Sequence, residues 1–265
     1  MRLINKVVLI TASTRGIGLG CVRECAKEGA VVYMAARNLE LAKNISEDLC
    51  NQGYNVKYVY NDASKPETFI SMIKEVIEKE GHLDVLVNNF GTSNPKKDLD
   101  LVNTNVDDYL DIININIRSV FLASQEAAKH MANSGGGSII NISSIGGIIP
   151  DISQIAYGTS KSAINYLTKL IAVQEAHNNI RCNAVLPGMI QTEALDKHLS
   201  DDFKNFFLKH VPLKKIGITK EIASAVVYFA SDDSAYTTGQ ILAVSGGFGL
   251  ATPVYGDLSN NKIKR

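Results

Sequence analysis

The chain has 265 residues, of which 45% are hydrophobic and 20% charged, with 20 Gly and only 6 Pro. Such a chain can bury a sizeable core, and the composition excludes disorder, collagen and low-complexity architectures. Lys plus Arg and Asp plus Glu balance at 27 each, leaving no broad positive field for nucleic acid or an anionic membrane, so a small metabolite is the expected ligand.

No stretch approaches the roughly 18 to 20 uninterrupted apolar residues of a membrane span, and Met1 to Ile10 runs straight into strand-like sequence without a signal-peptide layout. A cytoplasmic location is expected. Cys21, Cys25, Cys50 and Cys182 form no CxxC pair, which argues against a disulfide scaffold or a metal site and for buried small hydrophobes.

Short β-branched runs alternate with longer amphipathic stretches along the chain, the pattern of a parallel sheet covered by helices on both faces. Strands are predicted at Val7–Ile10, Val31–Ala35, Val56–Tyr60, Val85–Val87, Ser138–Ile142, Arg181–Val185 and Ile241–Val244. All but Val56–Tyr60 are nearly continuous apolar runs, as in strands buried on both faces, and Val56–Tyr60 alternates like an edge. Helices are predicted at Gly18–Glu28, Leu39–Gln52, Pro66–Glu80, Val106–Met131, Ile155–His177 and Lys220–Ser231, each long enough for a right-handed crossover. The result is a Rossmann-like, doubly wound α/β fold of one domain over residues 1–250, followed by a tail, residues 251–265, ending in a polar Asn260–Arg265. Met189–Pro212, with Leu195, Leu199, Phe203, Phe206 and Phe207, is an extra helical piece placed either to cover a site or to pack its phenylalanines into the core.

Thr11-Ala12-Ser13-Thr14-Arg15-Gly16-Ile17-Gly18 follows the first strand and opens the first helix. A glycine turn there brings backbone close to a pyrophosphate at the N–H end of the helix. The second strand ends Met34-Ala35-Ala36-Arg37, without the carboxylate that holds the ribose hydroxyls of NAD. Arg37 and Arg15 suit a 2′-phosphate, so NADP is the expected cofactor. Asn61-Asp62-Ala63 and Asn88-Asn89-Phe90-Gly91 end neighbouring strands on the edge where open α/β sheets bind ligands. Asp62 and Ala63 there suit the adenine, and Asn89 and Gly91 the ribose.

Tyr157 and Lys161 are four residues apart and share a helix face. Chance alone supplies roughly 0.75 such pairs in this chain. What lifts this pair is Ser144, 13 residues before Tyr157 at the end of the fifth strand, which turns toward the same edge. Oxidising an alcohol by direct hydride transfer requires a base for the hydroxyl proton, and tyrosine, with a pKa of about 10, needs help. An ammonium about 4 Å away contributes roughly 4 kcal/mol at an effective dielectric of about 20, or about three pK units before desolvation. Lys161 is therefore expected to make Tyr157 the general acid/base, with Ser144 donating to the substrate oxygen.

Thr11–Gly18, Asn88–Gly91, Asn116, Ser144, Tyr157, Lys161 and Pro187-Gly188 together resemble the short-chain dehydrogenases/reductases over residues 5–250. The resemblance implies Asn116 as a fourth catalytic residue that holds a relay water, Ile190 and Thr192 as contacts of the nicotinamide amide, and a homotetramer built partly on the Tyr157 helix. Ala12 in place of the family's first glycine, and Phe90 in place of its alanine, are departures.

Ser13–Gly16, Pro150–Tyr157, and Gly246–Gly249 followed by Thr252-Pro253 are similar to a branch of that family that uses NADP to interconvert the 7α-hydroxyl and 7-oxo groups of bile acids. Ile145, Ile148 and Ile149 independently suggest a pocket for a bulky hydrophobe. The alternatives are a 3-oxoacyl carrier-protein reductase, for which Lys204, Lys209, Lys214 and Lys215 would form a docking face, and a non-catalytic cofactor sensor, against which the intact catalytic set argues.

Overall fold

A computed structural model describes residues 1–193, 195, 200–252 and 255–259. Seven parallel strands form the central sheet: β1 Val7–Thr11, β2 Val31–Ala36, β3 Asn55–Tyr60, β4 Val85–Asn88, β5 Gly137–Ile142, β6 Ile180–Pro187 and β9 Ile241–Val244, in the order β3-β2-β1-β4-β5-β6-β9. Between them run α1 Gly16–Lys27, α2 Leu39–Asn51, α3 Thr68–Glu80, α4 Val106–Met131, α5 Ile155–Gln174 and α7 Thr219–Ala230.

Alternation along each strand sends side chains to two separate cores. Val8, Ile10, Val32, Met34 and Val87 pack with Cys21, Val22 and Cys25 of α1 and Ile222 and Val226 of α7. Val7, Leu9, Tyr33 and Leu86 pack on the other face with Phe69, Met72 and Ile73 of α3 and Ala123 and Ala127 of α4. Two buried faces explain why these strands read as unbroken apolar runs.

The alternating β3 is the edge its pattern predicts. β9 differs from expectation. It is the opposite edge, with Leu242 and Ala243 exposed although its sequence is as apolar as an interior strand's. Cys21, Cys25 and Cys182 are buried as expected, whereas Cys50 lies exposed near the end of α2. The helix expected to reach His177 stops at Gln174 and gives way to a 3-10 turn at Ala176–Asn178, and Asn179, at φ 57°, turns the chain into β6.

In the 189–212 segment, β7 Ile190–Gln191 pairs in parallel with β8 Gly217–Ile218, a small ribbon the sequence reading lacked. Among the described residues of this segment Glu193 and Leu195 are helical, and a further helix, α6 Asp201–Leu208, is capped by Ser200, whose Oγ accepts from the N–H of Phe203 at 3.2 Å. Leu199, Pro253 and Asn260–Arg265 lie outside the described residues. Within the tail, Tyr255–Ser259 forms a short helix, α8.

Candidate active site

Strand order reverses between β1 and β4, and the loops leaving these two strands diverge to open a crevice. On the β1 side, Ala12 (φ 51°) and Gly16 (φ 55°) both hold left-handed backbone, which costs an alanine about 1 kcal/mol and a glycine little. Gly18 meets a different demand: a Cβ there would stand 2.5 Å from Nδ2 of Asn89 and 2.6 Å from the carbonyl oxygen of Ala12. That Asn89 amide donates to the carbonyls of Thr11 and Ala12 at 3.0 Å, and the N–H groups of Asn89 and Phe90 donate to Thr11 Oγ1 at 2.9 Å. Asn89 thus braces the glycine turn from across the crevice.

Within the turn, Ser13 is fully buried and its Oγ has no hydrogen-bond partner among the described residues. Arg15, at the N-cap of α1, supplies no side-chain cap. An orphaned buried hydroxyl beside an uncapped helix N-terminus is the donor set a pyrophosphate would satisfy, so the residues present fit a dinucleotide. Thr14 is partly buried in the same turn, and Arg15, before α1, and Arg37, directly after β2, are exposed.

Asp62 accepts from Ser64 N at 3.0 Å and from Ser64 Oγ at 2.8 Å through Oδ1, which, with the nearby Arg37 charge, holds its carboxyl below the usual range. Among the described residues Oδ2 has only a long contact of 3.4 Å from Tyr60 OH. Asp62 is therefore an Asx turn with one oxygen lightly held, and Ala63 beside it is half-buried.

A cavity of about 280 Å³ brings together Ile17, Asn89, Gly91, Ile190 and Thr192 with Ser144, Tyr157 and Lys161. A second, apolar cleft of about 930 Å³ lies beyond and is walled by Leu99, Ile145, Ile148, Ile149, Phe206 and Phe248 among others. Ser144 and Tyr157 line both. Ser13, Thr14, Arg15, Arg37, Asp62 and Ala63 are not walls of the smaller cavity; they sit in the loops that follow β1, β2 and β3.

Lys161 is buried and its Nζ donates to the carbonyl of Ile142 at 2.9 Å, 5.6 Å from the centre of the Tyr157 ring. A Cβ on Gly91 would come within 2.9 Å of that Nζ, so the glycine leaves room for the amine. The electrostatics differ from expectation: burial raises the Tyr157 hydroxyl above its ordinary value, against a lowering by its hydrogen bond with Ser144. The same burial pulls Lys161 down to about 8. Desolvation outweighs the pairing that the spacing alone suggested.

Asn116 is completely buried. Its Oδ1 accepts from Thr92 N at 2.8 Å, and its Nδ2 donates to Thr92 O at 2.9 Å and Ser160 Oγ at 3.0 Å. Ser160 in turn donates to the carbonyl of Tyr157 at 2.7 Å. The side-chain amide of Asn116 is therefore committed to the frame around Tyr157.

Sequence reasoning missed Leu99, Leu101, His210 and Phe248 as cleft walls, and Asp98, whose carboxylate reaches the N-terminus of α5. These residues come from loops and a helix end, where no periodicity marks them, and Phe248, though inside the Gly246–Gly249 motif, carries no signal that it faces a cleft.

A family model described as enoyl-(acyl carrier protein) reductase matches residues 11–249. A 7α-hydroxysteroid dehydrogenase of Clostridium sardiniense is 51% identical over 256 residues, covering 97% of this chain and 98% of its own length. Another, of Paraclostridium sordellii, is 48% identical over 263 residues, covering 99% and 98%. Among solved structures, a 7α-hydroxysteroid dehydrogenase complexed with NADH and 7-oxo glycochenodeoxycholic acid matches with a TM-score of 0.88 at 30% identity, covering 93% of this chain and 95% of that one. Agreement over nearly the full length of both partners is a family relation, and the chain belongs to the short-chain dehydrogenases/reductases, oxidoreductases that work with NAD or NADP.

Proposed function

We propose that this protein is an NADP-dependent 7α-hydroxysteroid dehydrogenase that interconverts the 7α-hydroxyl and 7-oxo groups of bile acids. The observation that carries the reading is the wall shared by the two cavities: Ser144 and Tyr157 face the smaller one, beside the glycine turn, and the large apolar cleft alike. A rigid hydrophobe in the cleft would present one polar group to that wall.

When bound, the nicotinamide supplies the hydride acceptor and, in its oxidised form, a positive charge. Tyr157 takes the hydroxyl proton as a 7α-alcohol is oxidised and returns it in reduction, while Ser144 donates to the substrate oxygen. Lys161 holds the ribose side of the site and adds positive charge next to Tyr157 when protonated. Asn116 fixes the frame from which protons are relayed to Lys161. Ser13, Thr14 and Ile17 cradle the cofactor on the β1 side, Ile190 and Thr192 on the β6 side.

NADP is favoured by Arg15, before α1, and Arg37, directly after β2 where no carboxylate follows, both exposed. A carrier-protein substrate is disfavoured by the lysines expected to dock it: Lys215 pairs with Glu221, and Lys204 with Asp201 at 3.4 Å. We further infer that residues 189–212 act as a lid and that the protein assembles as a homotetramer, supported by the exposed stripe of Tyr166, Leu170 and Val173 at i, i+4 and i+7 on α5.

The test is NADPH formation from cholic and chenodeoxycholic acids and from a 7β epimer. Turnover of the 7α compounds alone, abolished in Tyr157→Phe with cofactor binding retained, is expected, because rigid rings let only one epimer meet both Tyr157 and the hydride acceptor. Turnover of the 7β compound, or of a 3-oxoacyl thioester alone, overturns the substrate. A preference for NAD overturns the arginine clamp.

A further inference from the structure

The helix that carries Tyr157 and Lys161 begins without a cap of its own. Gln154 occupies its N-cap position at φ 60°, and its side chain accepts no first-turn N–H. The four N–H groups at that end are instead taken up by the loop between β4 and α4. Gln154 N donates to the carbonyl of Asp98 and Ile155 N to that of Leu99, both at 3.2 Å. The next two go to one side chain: Ala156 N donates to Oδ1 of Asp98 at 2.8 Å, and Tyr157 N to Oδ2 at 2.9 Å.

Asp98 is fully buried and makes no ion pair among the described residues. A carboxylate in that position survives only where other groups replace water, and here both oxygens sit on the N–H groups of a helix N-terminus, with the helix dipole adding to them. Its neighbours Leu99, Asp100 and Leu101 are walls of the 930 Å³ cleft. One short segment therefore lines the cleft and grips the backbone of Tyr157.

We propose that Asp98 is a positioning residue for catalysis: it holds the first turn of α5 so that the Tyr157 hydroxyl stays in register with Ser144 and Lys161, and it ties that turn to the cleft wall. Lys161 lies one turn farther on and is anchored separately, by Nζ on Ile142 O. Loosening the first turn would thus move Tyr157 relative to its partners without unseating them. This rests on Tyr157 being the acid/base.

The number of acceptors can be graded. Asp98→Asn keeps one oxygen for one N–H, and Asp98→Ala keeps none. With whichever substrate the wild type turns over, kcat should fall about tenfold in Asn and about 100-fold in Ala, while KM for the cofactor stays within twofold. Hydrogen exchange at residues 154–157 should accelerate in Asp98→Asn, with β5 and α4 unchanged. The exchange measurement needs no substrate, so it stands whether or not the bile-acid reading does, and Tyr157→Phe tests the acid/base role separately. A kcat within threefold of wild type in both variants overturns the proposal. So does loss of activity with unchanged exchange at the first turn, or an Asn variant that loses fold and cofactor binding together, which would make Asp98 a stability residue only.

Discussion

Lys161 is a charge that folding alone would not choose. Its amine is pulled down to about 8 by burial, from an ordinary value of 10.5. Below pH 8 both folded and unfolded chains hold the proton, and the cost of burying the charge is fully present. Between pH 8 and 10.5 the unfolded chain binds the extra proton, so that cost disappears as pH rises. Lys161→Met should therefore stabilise the cofactor-free protein by about 2 kcal/mol at pH 7, after losing the bond to Ile142 O, with the gain shrinking toward pH 10. Urea unfolding of both proteins at the two pH values checks this, and equal gains at both would place the titration elsewhere. The types and spacing of Ser144, Tyr157 and Lys161 were legible because chemistry dictates them. Their proton affinities were not, because these depend on how much water the finished fold removes. Ala12 shows the same division: its substitution for glycine was visible, but the left-handed φ it adopts belongs to the turn.

At the scale of elements, α6 is joined to the chain beyond β9 by Phe207 and Phe248, whose rings stack with centroids 4.5 Å apart and planes 17° apart. Such a pair contributes about 0.5–1.5 kcal/mol beyond the area it buries. Phe248→Ala should raise the substrate KM roughly three- to tenfold and leave the cofactor KM within twofold, since Phe248 lines the large cleft and not the smaller cavity. Steady-state kinetics with each substrate varied in turn decides it, and an equal change in both constants would refute the separation. The interior strands could be read from unbroken apolar runs because packing on both faces imposes them, β3 from its alternation, and the six main helices from their amphipathic period. The ribbon of Ile190–Gln191 with Gly217–Ile218 could not, because two-residue strands leave no period to detect. β9 misled for a related reason: apolar sequence reports burial, and exposed apolar side chains at an edge look the same.

For the whole molecule, the exposed apolar stripe of α5 is the feature folding of one chain leaves unexplained. Tyr166 is 65% and Val173 78% exposed. Burial of these residues in an assembly would remove that cost. Sedimentation at micromolar concentration should give four chains, and Val173→Glu should weaken the assembly without lowering secondary-structure content. A wild-type monomer would refute the tetramer. Every strand end that meets the crevice faces one edge of the sheet, so the location of the site followed from strand order as soon as the strands were placed.

The two cavities also differ in what builds them. The smaller is made largely from the ends of β4, β5 and β6 with the first turn of α1, and the larger is walled by Leu99–Leu101, the Ile145–Gln154 stretch, α6 and Phe248, none of them in the sheet, while α5 lines both. Substrate preference can therefore drift by exchange of the surface segments other than α5, while α5, with Tyr157 and Lys161, and the sheet ends stay untouched. A chimera that imports those segments from a relative should inherit the donor's substrate range and keep the host's coenzyme preference.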